Sequence, residues 1–319
     1  MEKQEFTYKT VTYDDTTTTI LKANVYYTPA HKNESPEARP IALYFHGGGF
    51  IVGSKDDISP LHLDLLLSHG FVIVAPNYRL CPTILATEGP VQDSLDCYEW
   101  ARRDLPQLLQ AEGVALDAER LVALGTSCGG TIAHHMKKSP HPPREILDIA
   151  GQKFLGDPWF TSGLLPPGYT SLPSLSPSFI EKVHSEFPPP TSFPVPWGPE
   201  GISFDRPRFA WMFSSSVKGT TFKEITGGDT DTLDPVAIFN DIGDGKCPAT
   251  SFLHGGEDSL VNMKFARRAW EILRRKGVEC DLILVEGRDH GFDEDVKEGE
   301  EGYEEVAKAF DFLIRHVEV

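Results

Sequence analysis

The sequence has 319 residues, of which 40% are hydrophobic and 24% are charged, as in an ordinary soluble globular protein. A formal charge of −17 argues against nucleic acids and anionic membrane surfaces as partners. No apolar run reaches the roughly 18 residues of a membrane span. The N-terminal segment is polar and resembles no signal peptide, and the five cysteines form no C-x-x-C pair. We therefore expect a cytoplasmic protein with reduced thiols and without a bound metal.

Strand-like segments open the chain. The runs EFTYKTVTY and ILKANVYYT flank DDTTTT and predict an antiparallel hairpin. From residue 41, the short apolar runs IALYF, FVIVAP, LVALG, ATSFLHG and DLILVEG follow one another. They alternate with amphipathic segments near 58–69, 90–104, 129–138, 263–276 and 301–317. This alternation predicts an α/β fold with a mostly parallel sheet and helices on both faces. Ligands bind such sheets at the carboxyl ends of the strands.

Residues 152–246 interrupt the alternation with a segment rich in proline, glycine, serine and aromatic residues. A structureless loop of this length is improbable inside a compact domain, and disordered segments are poor in aromatic residues. We therefore predict a single domain over residues 1–319, with an inserted cap over approximately 152–246.

The stretch GTSCGG, residues 125–130, lies between the run LVALG and a helical segment. The pattern G-x-S-x-G between a strand and a helix is typical of a nucleophile elbow, in which flanking glycines leave room for a sharp turn. It predicts Ser127 as a nucleophile. The thiol of Cys128 could take that role only if the elbow were offset by one residue, and Gly125 and Gly129 fit Ser127 better. The backbone N–H of Cys128 is expected to help form an oxyanion hole.

A serine hydroxyl needs a base, and the base needs a carboxylate to orient it. His290 follows the last apolar run in LVEGRDHGFD and is the predicted base. Asp258 follows the preceding run in FLHGGEDSLVN and is the predicted carboxylate, with Glu257 as the competing acid. All three predicted groups then lie at one edge of the sheet, in the chain order serine, aspartate, histidine. The three glycines of YFHGGGF can bring further N–H groups close to a substrate.

With these motifs, the chain resembles the hormone-sensitive-lipase-like branch of the α/β-hydrolases. The resemblance rests on HGGGF (46–50), NYRLCP (77–82), DSLDCYEW (93–100), GTSCGG (125–130), HGGEDSL (254–260) and DHGF (289–292). It implies the α/β-hydrolase fold and hydrolysis of carboxylic esters through an acyl-serine, without a metal or cofactor. It also implies that Gly47 and Gly48 complete the oxyanion hole and that His46 orients their loop. The segment ILDIAGQKFLGDPWF (146–160) is similar to hydrolases of fungal polyketide and other natural-product pathways.

These expectations combine into a serine hydrolase that cleaves an ester of a small, largely apolar molecule, with an aromatic pocket under the cap. The candidate pocket residues are Trp159, Phe160, Trp197, Trp211 and Phe213. The same three catalytic groups could instead serve lactone, thioester, deacetylation or condensation chemistry on a polyketide-like metabolite. A third hypothesis is a small-molecule receptor without catalysis. The sequence does not indicate an oligomeric state.

Overall fold

The backbone is organised around an eight-stranded sheet with the strand order β1-β2-β4-β3-β5-β6-β7-β8. The computed structural model describes residues 1–29, 37–165, 170–195, 204–241 and 247–317. The strands are β1 (Glu2–Thr12), β2 (Thr18–Tyr27), β3 (Arg39–Phe45), β4 (Val72–Pro76), β5 (Leu116–Thr126), β6 (Glu145–Ile149), β7 (Ala249–Gly255) and β8 (Cys280–Val285). The β1–β2 and β2–β4 pairs are antiparallel, and the other neighbours run parallel. This confirms the predicted hairpin and the mostly parallel sheet.

Helices cover both faces of the sheet. They are α1 (Pro60–Ser68), α2 (Gln92–Arg103), α3 (Leu105–Gln110), α4 (Cys128–His135), α5 (Pro158–Thr161), α6 (Pro177–Ile180), α7 (Pro207–Lys218), α8 (Thr221–Ile225), α9 (Val236–Asn240), α10 (Lys264–Arg275) and α11 (Tyr303–Arg315). In β3, Leu43 and Phe45 join one apolar cluster, while Ala42 and Tyr44 join the cluster on the opposite face. Since both faces are buried, the strand reads as a continuous apolar run. None of the described helices is long and apolar enough to cross a membrane.

Strand β6 is the element that the sequence analysis did not predict. Its five residues are all buried, yet two of them are the carboxylates Glu145 and Asp148, which interrupt the apolar run. Burial of a charge requires a partner, and both carboxylates have one. Nδ1 of His316 lies 2.7 Å from Glu145 Oε2, and Nζ of Lys153 lies 2.9 Å from Asp148 Oδ2. Such partners come from distant or following segments, so a local pattern does not reveal the strand.

Helix α7 attaches the segment between β6 and β7 to the sheet domain. Arg208 is fully buried on this helix and donates hydrogen bonds to the carbonyl oxygens of Ile51 and Cys81. The same guanidinium pairs with Glu186. These contacts hold α7 against the loops that follow β3 and β4. The division into one domain with a cap over approximately 152–246 remains a prediction, and the described part of that range contains α5 to α9.

A buried ionic cluster holds the turn after β6. Asp148 accepts a hydrogen bond from the N–H of Gly151 at 2.7 Å, pairs with Lys153, and lies 2.8 Å from Nε2 of His134 on α4. Burial alone would raise the pKa of Asp148, but the Lys153 charge and the His134 hydrogen bond lower it well below its usual range. Burial also lowers the pKa of His134, which is therefore no substitute for the lysine cation.

We predict that Lys153→Met lowers the free energy of unfolding by about 3–5 kcal/mol, because it leaves the Asp148 carboxylate buried without a cation. Urea denaturation followed by circular dichroism would measure the change. Lys297→Met makes the same replacement at an exposed position and should stay within about 0.5 kcal/mol of wild type. Equal losses in both variants would contradict a stabilising role for the cluster.

Candidate active site

Ser127 occupies a sharp turn between β5 and α4. Its φ of 53° and ψ of −124° lie in a region that side-chain-bearing residues rarely adopt. A Cβ on Gly125 would lie 2.4 Å from the carbonyl carbon of Gly129, and a Cβ on Gly129 would lie 2.0 Å from the carbonyl oxygen of Phe45. Both positions therefore require glycine. The turn stores backbone strain at the serine, as functional sites commonly do.

Asp258 and His290 meet at the carboxyl edge of the sheet. Asp258 follows β7, His290 follows β8, and His290 Nδ1 lies 2.7 Å from Asp258 Oδ2. The other carboxylate oxygen accepts the N–H groups of Leu260 at 2.9 Å and Val261 at 2.7 Å. His254 Nε2 also lies 3.2 Å from Asp258 Oδ2. Burial opposes ionisation of Asp258, but these hydrogen bonds and the two histidines keep its pKa well below the usual range.

A second aspartate ties the two loops together. Asp289 accepts hydrogen bonds from the N–H of Ser259 at 2.8 Å and from the N–H of His290 at 2.7 Å. The hydroxyl of Ser259 donates to it at 2.9 Å. Asp289 therefore fixes the loop of the carboxylate to the loop of the histidine. No local pattern predicts this role of Asp289, because it depends on the pairing of β7 with β8.

The environment of His290 favours its protonated form. Burial by itself lowers the pKa of the imidazole, but the hydrogen bond to Asp258 and the negative charges of Asp258 and Asp293 outweigh burial and raise the pKa. His290 is thus a stronger base than an unperturbed histidine. The hydrogen bond at Nδ1 leaves Nε2 as the nitrogen that can accept a proton.

Ser127 and His290 line one cavity of about 480 Å³. Gly47, Gly48 and Gln152 belong to the same wall. The remainder is mostly apolar and includes Ile51, Leu164, Met212, Phe222 and Leu260. A cavity of this volume is large enough for a small molecule.

The predicted aromatic pocket residues divide into three groups. Phe160 and Phe213 line the cavity. Trp211 is instead buried on α7 with its ring edge-on to His184, and Trp159 donates its Nε1–H to the carbonyl of Leu260 at 3.1 Å. Neither belongs to the described wall. Trp197 lies outside the described residues. An aromatic residue in the cap can pack against the domain as readily as it can face a ligand, and the sequence does not distinguish the two.

The glycine loop after β3 lies beside the nucleophile. A Cβ on Gly47 would be 3.4 Å from Cβ of Ser127, and a Cβ on Gly48 would be 2.3 Å from the carbonyl oxygen of Val52. Gly48 also has a φ of 105°, which favours glycine. Cys128 is the first residue of α4, where N–H groups have no acceptor in a preceding helical turn. The N–H groups of Gly47, Gly48 and Cys128 remain the predicted oxyanion donors.

The Cys128 side chain faces the interior. Its Sγ accepts the N–H of Phe50 at 3.1 Å and lies 3.7 Å from the carbonyl oxygen of His46. Burial raises the pKa of this thiol to about 11, so it is protonated at neutral pH. His46 stacks on Tyr78 at a centroid distance of 4.2 Å, and burial lowers its pKa to about 4. The cysteine thus connects the elbow to the glycine loop, a role that its position in the sequence did not reveal.

Gln152 contacts Ser127 and was not among the predicted site residues. Its Nε2 donates a hydrogen bond to Ser127 Oγ at 3.1 Å, and the residue is 7% exposed. It follows β6, the strand that the sequence analysis did not predict. Recognition of that strand would have placed Gln152 at the carboxyl edge of the sheet with the other site residues.

A hydroxyl, a base held by a carboxylate, and backbone N–H groups around one cavity suit nucleophilic attack on an acyl carbon. Among the residues that the structure describes, no three histidine, cysteine, aspartate or glutamate side chains are grouped to hold a metal ion. The eight-stranded sheet and the sharp turn at Ser127 are those of the α/β-hydrolase fold.

Comparisons with known proteins agree with this fold. A family model described as alpha/beta hydrolase fold matches residues 42–154. Thermogutta terrifontis esterase 2, in a structure phosphoramylated by tabun, superposes with a TM-score of 0.62 and 18% identity over 98% of this chain and 94% of its own. An alpha/beta hydrolase superfamily protein from Enterococcus faecalis also gives 0.62, at 16% identity over 93% of this chain and 95% of its own. The predicted α/β-hydrolase fold is confirmed.

More specific similarity is to fungal synthases. Non-reducing polyketide synthase ausA of Aspergillus calidoustus is 30% identical over 347 aligned residues, which cover 98% of this chain and 14% of that protein. Non-reducing polyketide synthase prhL of Penicillium brasilianum is 29% identical over 352 aligned residues, which cover 99% of this chain and 14% of that protein. The chain thus spans about a seventh of the length of these relatives. The expected similarity to proteins of fungal polyketide pathways is confirmed.

We predict that His290 titrates above the ordinary histidine pKa of about 6.5, and that Asp258→Asn moves its titration to lower pH. The variant removes the negative charge that stabilises the imidazolium. Histidine NMR signals followed against pH would measure both midpoints, with His290→Gln to assign the resonance. A wild-type midpoint at or below that of Asp258→Asn would contradict the proposed electrostatics.

We predict that Gly129→Ala strongly destabilises the protein, because the new Cβ would collide with the carbonyl oxygen of Phe45. Thermal unfolding should show a clear loss relative to wild type, or no folded protein should be recovered. Gly156→Ala is the matched control, since nothing lies within 4 Å of the position that its new methyl group would take. A Gly129→Ala protein as stable as Gly156→Ala would show that the elbow tolerates a side chain.

Proposed function

We propose that this chain is a serine hydrolase that cleaves an ester of a small, largely apolar, polyketide-like acid through an acyl-Ser127 intermediate. The observation that carries the proposal is the 2.7 Å contact between His290 and Asp258 in the same site as a serine on a strained elbow. A base, its orienting carboxylate and a nucleophile that lines a cavity are the parts that acyl transfer to serine requires.

In the proposed first half-reaction, His290 removes the Ser127 proton as Oγ attacks the carbonyl carbon. Asp258 stabilises the imidazolium that forms. The N–H groups of Gly47, Gly48 and Cys128 donate hydrogen bonds to the tetrahedral oxyanion, and each such donor is worth roughly 10²–10³ in rate. The intermediate then expels the leaving group, which takes its proton from His290.

In the second half-reaction, water takes the place of the leaving group. His290 removes a proton from the water, whose oxygen attacks the acyl carbon, and the same N–H groups stabilise the second tetrahedral intermediate. Collapse breaks the bond to Ser127 Oγ, which recovers a proton from His290. The product is a free carboxylic acid.

A second candidate is hydrolysis of a thioester of the same kind of acid. The similarity to non-reducing polyketide synthases over nearly the whole chain favours it. A polyketide assembled without reduction keeps an oxygen on every second carbon, so the acyl group would be oxygenated as well as apolar. Rates on an N-acetylcysteamine thioester and on the ethyl ester of the same acid would rank the two candidates.

We predict that a fluorophosphonate probe adds once to wild type and not to Ser127→Ala, because only an activated serine reacts. Intact mass spectrometry would show the adduct. Cys128→Ala should still be labelled at Ser127, since its backbone N–H survives, but more slowly, because Phe50 N–H loses its acceptor.

Two outcomes would count against these assignments. The absence of an adduct on folded wild type would favour a binding role over hydrolysis. Loss of the adduct in a folded Cys128→Ala protein would show that the thiol does more than position the glycine loop.

A further inference from the structure

Gln152 has no part in the proton transfers described above, yet it touches the nucleophile. Its Nε2 donates to Ser127 Oγ at 3.1 Å. The side chain is almost fully buried and lines the cavity. A buried amide donor at this distance from the attacking oxygen must find an acceptor at every stage of the reaction.

The segment that carries Gln152 is held rigidly. Thr131 Oγ1 on α4 donates to the carbonyl oxygen of Gln152 at 2.7 Å and lies 3.3 Å from its Oε1. Ala150 and Phe154, on either side, have φ values of 53° and 59°. Non-glycine residues keep such conformations only when the surroundings enforce them. Here the N–H of Ala150 donates to the carbonyl oxygen of Leu253 at 2.9 Å, and the N–H of Phe154 donates to Asp234 at 3.0 Å.

Acylation changes what this donor can bond to. When Ser127 Oγ becomes an ester oxygen, it is a much poorer hydrogen-bond acceptor, because its lone pair is delocalised into the carbonyl group. The amide of Gln152 then lies beside the first carbons of the acyl chain in a largely apolar cavity. Leaving a buried donor unpaired costs about 1–3 kcal/mol. An acyl group with its own oxygen near the carbonyl carbon would remove that cost.

We propose that Gln152 is a specificity-determining residue that selects acyl groups bearing an oxygen on the third carbon, counted from the carbonyl. As the acyl-serine forms, the Nε2–H group of Gln152 stops donating its hydrogen bond to Ser127 Oγ and donates it to that oxygen instead. The class includes β-keto acids, β-hydroxy acids and 2-hydroxybenzoic acids. This inference rests on the proposed serine hydrolase function and narrows its substrate class.

Two position isomers test the assignment. The p-nitrophenyl esters of 2-hydroxybenzoic and 4-hydroxybenzoic acid have the same composition, and only the first carries its hydroxyl on the third carbon. The ratio of their kcat/KM values should fall about tenfold in Gln152→Met, which keeps the side-chain length but removes the donor. In Gln152→Glu, the side chain keeps its shape, and its ionised carboxylate has no hydrogen-bond donor. This variant should lower the ratio of the two kcat/KM values similarly.

Matched controls separate specificity from general damage. Gln92→Met makes the same replacement at an exposed position of α2 and should leave the ratio unchanged. A purely structural role for Gln152 would lower kcat/KM for both esters equally, and an unchanged ratio in Gln152→Met and Gln152→Glu would overturn the inference.

Fluorophosphonate labelling of the same preparations distinguishes this failure from failure of the proposed function. Labelled Ser127 with an unchanged ratio would reject only the role of Gln152. Unlabelled wild type would reject the serine hydrolase assignment and the specificity that rests on it.

Discussion

The site depends on the close approach of two backbones. Gly129, in the first turn of α4, lies so near the carbonyl of Phe45 at the end of β3 that no side chain fits between them. This contact sets the sharp turn at Ser127 and brings that serine next to the glycine loop that follows β3. One steric constraint therefore places both Ser127 and the glycine loop. The Cys128 thiol strengthens the same junction through its contact with the N–H of Phe50.

Two of the buried carboxylates position the site. Asp258 gathers backbone N–H groups and His290, so that one ionised carboxylate orients the base and raises its pKa. Asp148 similarly fixes the turn after β6, with Lys153 and His134 as its partners. Buried ion pairs add little net stability by themselves. Here their value lies in geometry, since Asp258 holds His290 and Asp148 holds the segment that carries Gln152.

Much of the site was predictable because its parts are local. The G-x-S-x-G pattern encodes a turn whose sterics demand glycine at two positions, and the three glycines after β3 encode a close backbone approach. Asp258 and His290 could be placed because each follows an apolar run, and consecutive parallel strands present their carboxyl ends at one edge. The fold was predictable for the same reason, since runs buried on both faces alternate with amphipathic helices.

Sequence alone thus determined the α/β-hydrolase fold and nominated its nucleophile, base and carboxylate through patterns of neighbouring residues. Only the tertiary structure decided which groups surround them. Strand β6 was not predicted, because the partners of Glu145 and Asp148 lie elsewhere in the chain. The position of Gln152 at the site was not predicted either, because this residue follows β6. Trp159 and Trp211 were predicted to line the pocket because they are aromatic, but packing places their side chains outside the described cavity wall. Long-range pairing and side-chain direction are set when folding brings distant segments into contact, and local sequence patterns do not encode them.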